Sequence, residues 1–304
     1  MRILIVGCGA VGGYFGGRLM EKGEDVTFLV RERRKKQLEE TGLHIKSMYG
    51  DLSLIPKTIL AADREDTFDL IILSTKSYHF EQAIKDITPF VGPDTLIMPL
   101  LNGIAHIDRL REVFTDKKVL GGLCMIGATI DEKGAIIHMG SSHLLNYGEL
   151  SGEKTERIEK IEQSFLGTKA DFNRSENISR AMWHKYLFIT GLSGITTLFR
   201  SKIGKIKKRE YGEKIIEAVF KEIASIIRAE KAPIDDGVEF EQIKQLTEEM
   251  GSSMLRDMEK GGAVEADHIQ GYLLKLAEKH RIEAIYLKII YTNLKVYENS
   301  VKDL

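Results

Sequence analysis

Short, almost wholly apolar runs alternate with helix-period segments through the first half of the chain, and the second half carries only the longer period. RILIVG shows no polar alternation, the pattern of a parallel strand buried on both faces. A helix over 10–22 follows, then the strand DVTFLV. FDLIILSTK predicts a later strand ending at Lys76, with a helix near 79–90 behind it. TLIMPLLN predicts another strand, reaching Asn102, with a helix near 106–114. Strands that alternate with helices imply an α/β fold with a doubly wound parallel sheet. Residues 119–149 change character and predict short antiparallel edge strands between turn glycines. From about 177 the pattern is all helical: YGEKIIEAVFKEIASIIRAEKAP stops at Pro233, and GVEFEQIKQLTEEMGSSMLRDMEKGG stops at a glycine pair. EADHIQGYLLKLAEKH and IEAIYLKIIYTNLKVYENS complete the set. The boundary is expected within FNRSEN, giving a sheet domain over 1–174 and an all-α domain over 175–304.

Composition narrows the functional classes. Apolar residues make up 43% of 304 residues, enough for two cores, and the net charge of −1 argues against a nucleic-acid binder. The two cysteines, Cys8 and Cys124, have neither zinc nor disulfide spacing, so no metal is expected and a reducing cytoplasm fits. The longest apolar run, 186–199, is too short and too glycine-broken to span a bilayer. A cytoplasmic protein without membrane partners is expected.

The chemistry begins at IVGCGAVGGYFGG. Gly7, Gly9 and Gly12 stand in G-x-G-x-x-G order between a strand and a helix, which points to a dinucleotide-binding, Rossmann-like turn. Gly7 permits the tight turn, Gly9 lets the backbone approach a pyrophosphate, and Gly12 lets the helix pack on the strand. Ala10 and Val11 lie inside the same cradle, at a helix start that favours phosphate. A glycine-rich turn with no ligand is the plainer alternative. At the end of the second strand, where an NAD-binding protein keeps an acidic residue, FLVRERR places Arg31. A cation suits a 2′-phosphate, so NADPH is the expected cofactor. Glu32 would face the ribose instead if the strand ran one residue further. Arg33 and Arg34 also read as an exposed, charged helix start. Lys76 and Asn102 close later strands, where such sheets hold ligands, with a turn residue as the plainer alternative for each. In AMWHKYLFITGLSGITTLF, Lys185 opens an apolar segment two places after the sole tryptophan, Trp183. It is either a snorkelling lysine or a charge placed in a site.

Taken with STKSY, LLNGI, WHKYLFITGLSGITTL and SSMLRDMEKGGAVEADHIQGYL, these stretches resemble the 2-dehydropantoate 2-reductase (ketopantoate reductase) family nearly end to end. The resemblance implies NADPH-dependent reduction of a 2-oxo acid, ketopantoate first, in pantothenate biosynthesis. It implies Lys185 as catalytic lysine and Glu265 as the carboxylate that orients the site. It also implies Ser253 as a carboxylate-binding serine, Asn102 at cofactor and substrate, Lys76 beside the cofactor, and Arg31 at the 2′-phosphate. A lysine can both donate a proton and stabilise a developing alkoxide. The chain departs from the family where asparagines usually follow the lysine by four and eight residues: Ile189 and Ser193 stand there. Ser193 then becomes the polar substrate-binding candidate, with Thr190 beside it. Arg281 and Ile285 replace the usual glycine and proline before the last helix. Two alternatives remain open: a reductase of a more apolar 2-oxo acid, and a non-catalytic NADP-binding regulator. The partner expected is a small-molecule 2-oxo acid, with a homodimer as one assembly option.

Overall fold

The computed structural model describes residues 1–63 and 66–302. The chain divides into two compact units, Met1–Leu101 with His106–Ser179, and Asn102–Ala105 with Arg180–Leu304.

The first unit contains β1 (Arg2–Val6), α1 (Ala10–Lys22), β2 (Asp25–Leu29), α2 (Glu32–Thr41), β3 (Leu43–Lys46), β4 (Leu52–Leu54), β5 (Lys57–Ile59), β6 (Leu70–Leu73), α3 (Phe80–Ile87), β7 (Leu96–Pro99) and most of α4 (Ala105–Phe114). It continues through β8 (Gly121–Ile130), β9 (Ile136–Gly148), α5 (Glu156–Phe165) and β10 (Asp171–Arg174). One sheet is parallel throughout, in the order β5-β2-β1-β6-β7. The chain leaves β1 towards β2 and later returns to β6 on its other side. The carboxyl end of β1 is therefore a switch point, where open α/β sheets hold ligands.

A second sheet runs β10-β9-β3-β4, with β8 also paired to β9. The run 119–149 is thus not a set of short edge strands. It is one hairpin of ten- and thirteen-residue strands, and β9 is flanked on both sides. A register shift between Ile126 and Gly127 interrupts the alternation and makes the strands look shorter in sequence than they are. β3, β4, β5 and β10 have three or four residues each, too few to show a period.

Helix α1 packs against both sheets, and its pairs of glycines explain how. An added methyl at Gly16 would lie 2.7 Å from Phe28 and 2.9 Å from Ile5, in the parallel sheet. At Gly17 it would lie 2.6 Å from Ile45, and at Gly13 it would overlap Ile136, both in the second sheet. Tyr14 and Phe15, between them, are fully buried. Overpacking of such a site costs about 1–3 kcal/mol, so GGYFGG is a packing code as well as part of a phosphate loop.

The second unit carries α6 (Ile178–Leu198), α7 (Ile203–Lys207), α8 (Gly212–Ala229), α9 (Val238–Gln245), α10 (Ser253–Glu259), α11 (Tyr272–Lys279) and α12 (Ile285–Lys302). No strand occurs among the described residues after Arg174. The predicted helical run over 237–262 is two helices. Leu246 turns extended after α9, and the Ser252 hydroxyl accepts the Leu255 amide to start α10 afresh. α8 ends at Ala229, before Pro233, because Lys231 takes a left-handed conformation (φ 59°) that reverses the chain. α6 is apolar almost all round, as a core helix should be. No helix is long and apolar enough to cross a membrane among the described residues.

Candidate active site

The glycine loop in the first unit has the three properties a dinucleotide needs. Gly7 adopts φ +91°, and its amide donates to the Leu29 carbonyl 3.0 Å away, so the turn is tight and left-handed. A methyl at Gly12 would collide with Ser74 Oγ and the Gly7 carbonyl, so helix and strand meet there without room for a side chain. A methyl at Gly9 would meet nothing within 4 Å. Gly9 is also the cap of α1, in extended conformation and with no side chain closing the helix end. The loop therefore presents open space and free amides together, which fits a pyrophosphate. Ala10 and Val11 form the first turn and are half-buried.

Arg31 caps α2, two residues past the end of β2, and is exposed. Glu32 is the first helical residue behind it. Arg34 has a different job from its neighbours. Its Nε donates to the Cys8 carbonyl at 3.1 Å and its Nη1 to Gln37 and the Gly134 carbonyl. It bolts the glycine loop to α2, a role that the reading of a charged helix start overlooked. β6 ends at Leu73, three residues before the predicted Lys76. Ser74 has turned its hydroxyl onto the Val6 and Gly7 carbonyls and ended the ladder. Lys76 caps the short 3₁₀ turn Ser77–His79 and is half-buried.

In the second unit, Lys185 lies half-buried on α6. The turn around it is pinned on several sides. Trp183 meets Tyr186 edge-on, with centroids 5.7 Å apart. Gln242 donates to the His184 carbonyl at 2.8 Å, and His184 accepts the Asp235 amide at 3.1 Å. The fully buried Tyr186 hydroxyl donates to the Ile269 carbonyl at 2.6 Å. Two turns further along α6, Ser193 Oγ accepts from the Gln270 amide at 2.8 Å. Ile269 and Gln270 belong to a π-helical turn, Asp267–Gly271, that begins two residues after Glu265. Such widened turns are frequent at functional sites. Two buried hydrogen bonds therefore fasten the helix of Lys185 to the segment of Glu265.

Glu265 itself is buried, and the Ile269 amide returns to its carbonyl. Its charge acts on His268: burial pushes that imidazole below its ordinary range, and Glu265 offsets this in part. Against His268 lies the Asn102-Gly103 turn. Gly103 has φ +90°, and a methyl there would come within 2.9 Å of the His268 ring. Gly103 is thus required on two counts, and the half-buried Asn102 before it lies in the same unit as Lys185, Ser193, Ser253 and Glu265. Of the two adjacent serines, Ser252 is committed to capping α10 and to Thr196, 2.8 Å away, while Ser253 is exposed at the helix start. Sequence reasoning missed Tyr186, His268 and Gln270. A tyrosine next to an apolar-helix lysine was the available signal, since a buried hydroxyl must find a partner.

The chain matches the family model described as Ketopantoate reductase PanE/ApbA over residues 3–152, and its C-terminal counterpart over 177–298. It is 43% identical to the uncharacterized oxidoreductase YkpB of Bacillus subtilis (strain 168), over 98% of this chain and 99% of that protein. The 2-dehydropantoate 2-reductase of Geobacter metallireducens GS-15 superposes with a TM-score of 0.87 at 26% identity, covering 97% of this chain and 99% of that one. A D-mandelate dehydrogenase, solved with NADH and anilino(oxo)acetate, gives 0.89 at 24% identity over 99% and 100%, a likeness of fold.

Proposed function

This chain belongs to the ketopantoate reductase family, an oxidoreductase acting on CH–OH groups, and from that premise we propose that it reduces a 2-oxo acid with NADPH, ketopantoate being the first candidate. The observation that carries the reading is the fastening of the Lys185 helix to the Glu265 turn through Tyr186 and Gln270. The cofactor supplies the hydride when bound. The residues of the chain do the rest. Gly7, Gly9, Ala10, Val11 and Gly12 cradle the pyrophosphate, with Lys76 beside it. Arg31, which has no ion-pair partner among the described residues, receives the 2′-phosphate. Hydride arrival on a ketone leaves negative charge on oxygen, and the Lys185 ammonium stabilises that charge and then protonates it. Glu265 aims the ammonium, Asn102 holds the reacting end, and Ser253 takes the substrate carboxylate.

A second substrate reading has its own support. Ile189 is half-buried one turn beyond Lys185 and cannot hydrogen-bond a substrate hydroxyl. A 2-oxo acid with an apolar tail would suit it, whereas ketopantoate would depend on Ser193 or Thr190. Ketopantoate and 2-oxoisovalerate, followed by NADPH absorbance, separate the two. A higher kcat/KM for ketopantoate supports the first reading, and a higher value for 2-oxoisovalerate the second. Consumption of NADPH with no 2-oxo acid in a broad panel overturns both.

A further inference from the structure

The switch point of the parallel sheet has a second basic group opposite Arg31. β2 and β6 flank β1, so the residues just beyond their carboxyl ends stand on either side of the glycine loop. Beyond β2 stands Arg31; beyond β6 stands the 3₁₀ turn that ends in His79. The two are near enough for the charge of Arg31 to act on the imidazole. The His79 ring is half-buried and meets its neighbour Tyr78 edge-on at 4.7 Å. Among the described residues its ring nitrogens have no hydrogen-bond partner. A side chain able to carry a positive charge, set beside an unpaired arginine at a ligand-binding edge, lacks one thing: an anion between them.

We propose that His79 is a specificity-determining residue for the cofactor, a second cation that takes up a proton when a ribose 2′-phosphate settles between it and Arg31. The inference rests on the NADPH reading above and deepens it.

The electrostatics give the sign. In the free protein, burial and the Arg31 charge both hold His79 below its ordinary range, so it is neutral at pH 7. Arg31, from the start of α2, is the charged group acting on it; Tyr78, from its own turn, is the titratable neighbour in contact. A phosphate dianion on the same spot reverses the field and favours the imidazolium. The complex then holds more protons than the free partners, so binding tightens as pH falls. The gain ends near pH ~6, where the phosphate itself takes up a proton. NADH, with no 2′-phosphate, lacks this dependence.

The test is calorimetric and needs no turnover. Adenosine 2′,5′-bisphosphate and 5′-AMP are titrated into the full chain near pH 7.5, in buffers of different ionisation enthalpy, which yields the protons exchanged. The expected result is net proton uptake with the bisphosphate and none with AMP, and an affinity for the bisphosphate that rises by up to about tenfold per pH unit lowered. His79→Gln should abolish the uptake and flatten the pH dependence, with an unchanged melting temperature; His79→Asn guards against an effect peculiar to one amide. Uptake that persists in both variants overturns the His79 role and leaves the NADPH reading standing. Equal affinity of the unmodified protein for bisphosphate and AMP overturns that reading and the His79 role with it.

Discussion

The proposed chemistry turns on Lys185. The account expects Lys185→Ala to lower kcat by about 100- to 10,000-fold, the usual worth of a positioned general acid. NADPH affinity, measured by cofactor fluorescence, should stay at its unmodified value, because the lysine acts when charge develops on oxygen. A loss confined to KM would make it a binding residue instead. Arg31 allows an independent test. Arg31→Ala should weaken NADPH far more than NADH in direct titrations, and equal losses would reduce Arg31 to general electrostatics. The adjacent serines separate in the same way. Ser253→Ala is expected to raise KM for the 2-oxo acid at an unchanged melting temperature. Ser252→Ala removes a helix cap and should cost about 1 kcal/mol of stability.

At the scale of elements, the glycine loop makes a prediction that sequence alone could not grade. Gly9 and Gly12 look equivalent in G-x-G-x-x-G, yet one faces open space and the other a collision. Gly9→Ala should keep the melting temperature and lose cofactor affinity by tenfold or more, about 1.4 kcal/mol. Gly12→Ala should unfold the first unit or lower its melting temperature steeply, which calorimetry would register. The reverse pattern would mean that the loop is built for packing only. Tyr186→Phe probes the other site element. It removes one of the bonds at the Ile269 carbonyl, which keeps the Tyr272 amide, so about 0.5–1.5 kcal/mol of stability should go with it. These elements also mark where sequence reading stops. β1, α1, β2 and β7 were legible because a run apolar on both faces or a full helical period announces itself. The second sheet was hidden, because three of its strands span only three or four residues and the hairpin breaks its own alternation at Gly127. Lys185 and Glu265 are singled out as site residues in the sequence only by the family resemblance. The bonds that fasten their elements join residues 83 and 77 positions apart, which no local pattern records.

On the scale of the whole molecule, each unit closes on itself with its own core and its own forked arginine–carboxylate pair. Glu149, buried at the end of β9, accepts two bonds from Arg157 at 2.5 Å and one from Thr155 at 2.6 Å. Glu239 accepts two from Arg228, at 3.0 and 2.6 Å. Burial pushes both carboxyls up, but their arginine partners outweigh it and hold them below the ordinary range. A depressed carboxyl contributes stability above its unfolded value, about 4.3, and loses it as pH falls through the folded value. The melting temperature should therefore be flat near neutrality and fall below about pH 4.5. Glu149→Gln and Glu239→Gln should each make that acid limb shallower, and an unaltered limb would assign acid sensitivity to other groups. One measurement reaches the proposed activity most directly: NADPH oxidation by the purified chain on addition of ketopantoate, compared with the Lys185→Ala variant. The account predicts turnover that yields the 2-hydroxy acid and falls at least a hundredfold without the lysine. Reduction at an undiminished rate in the variant would contradict it.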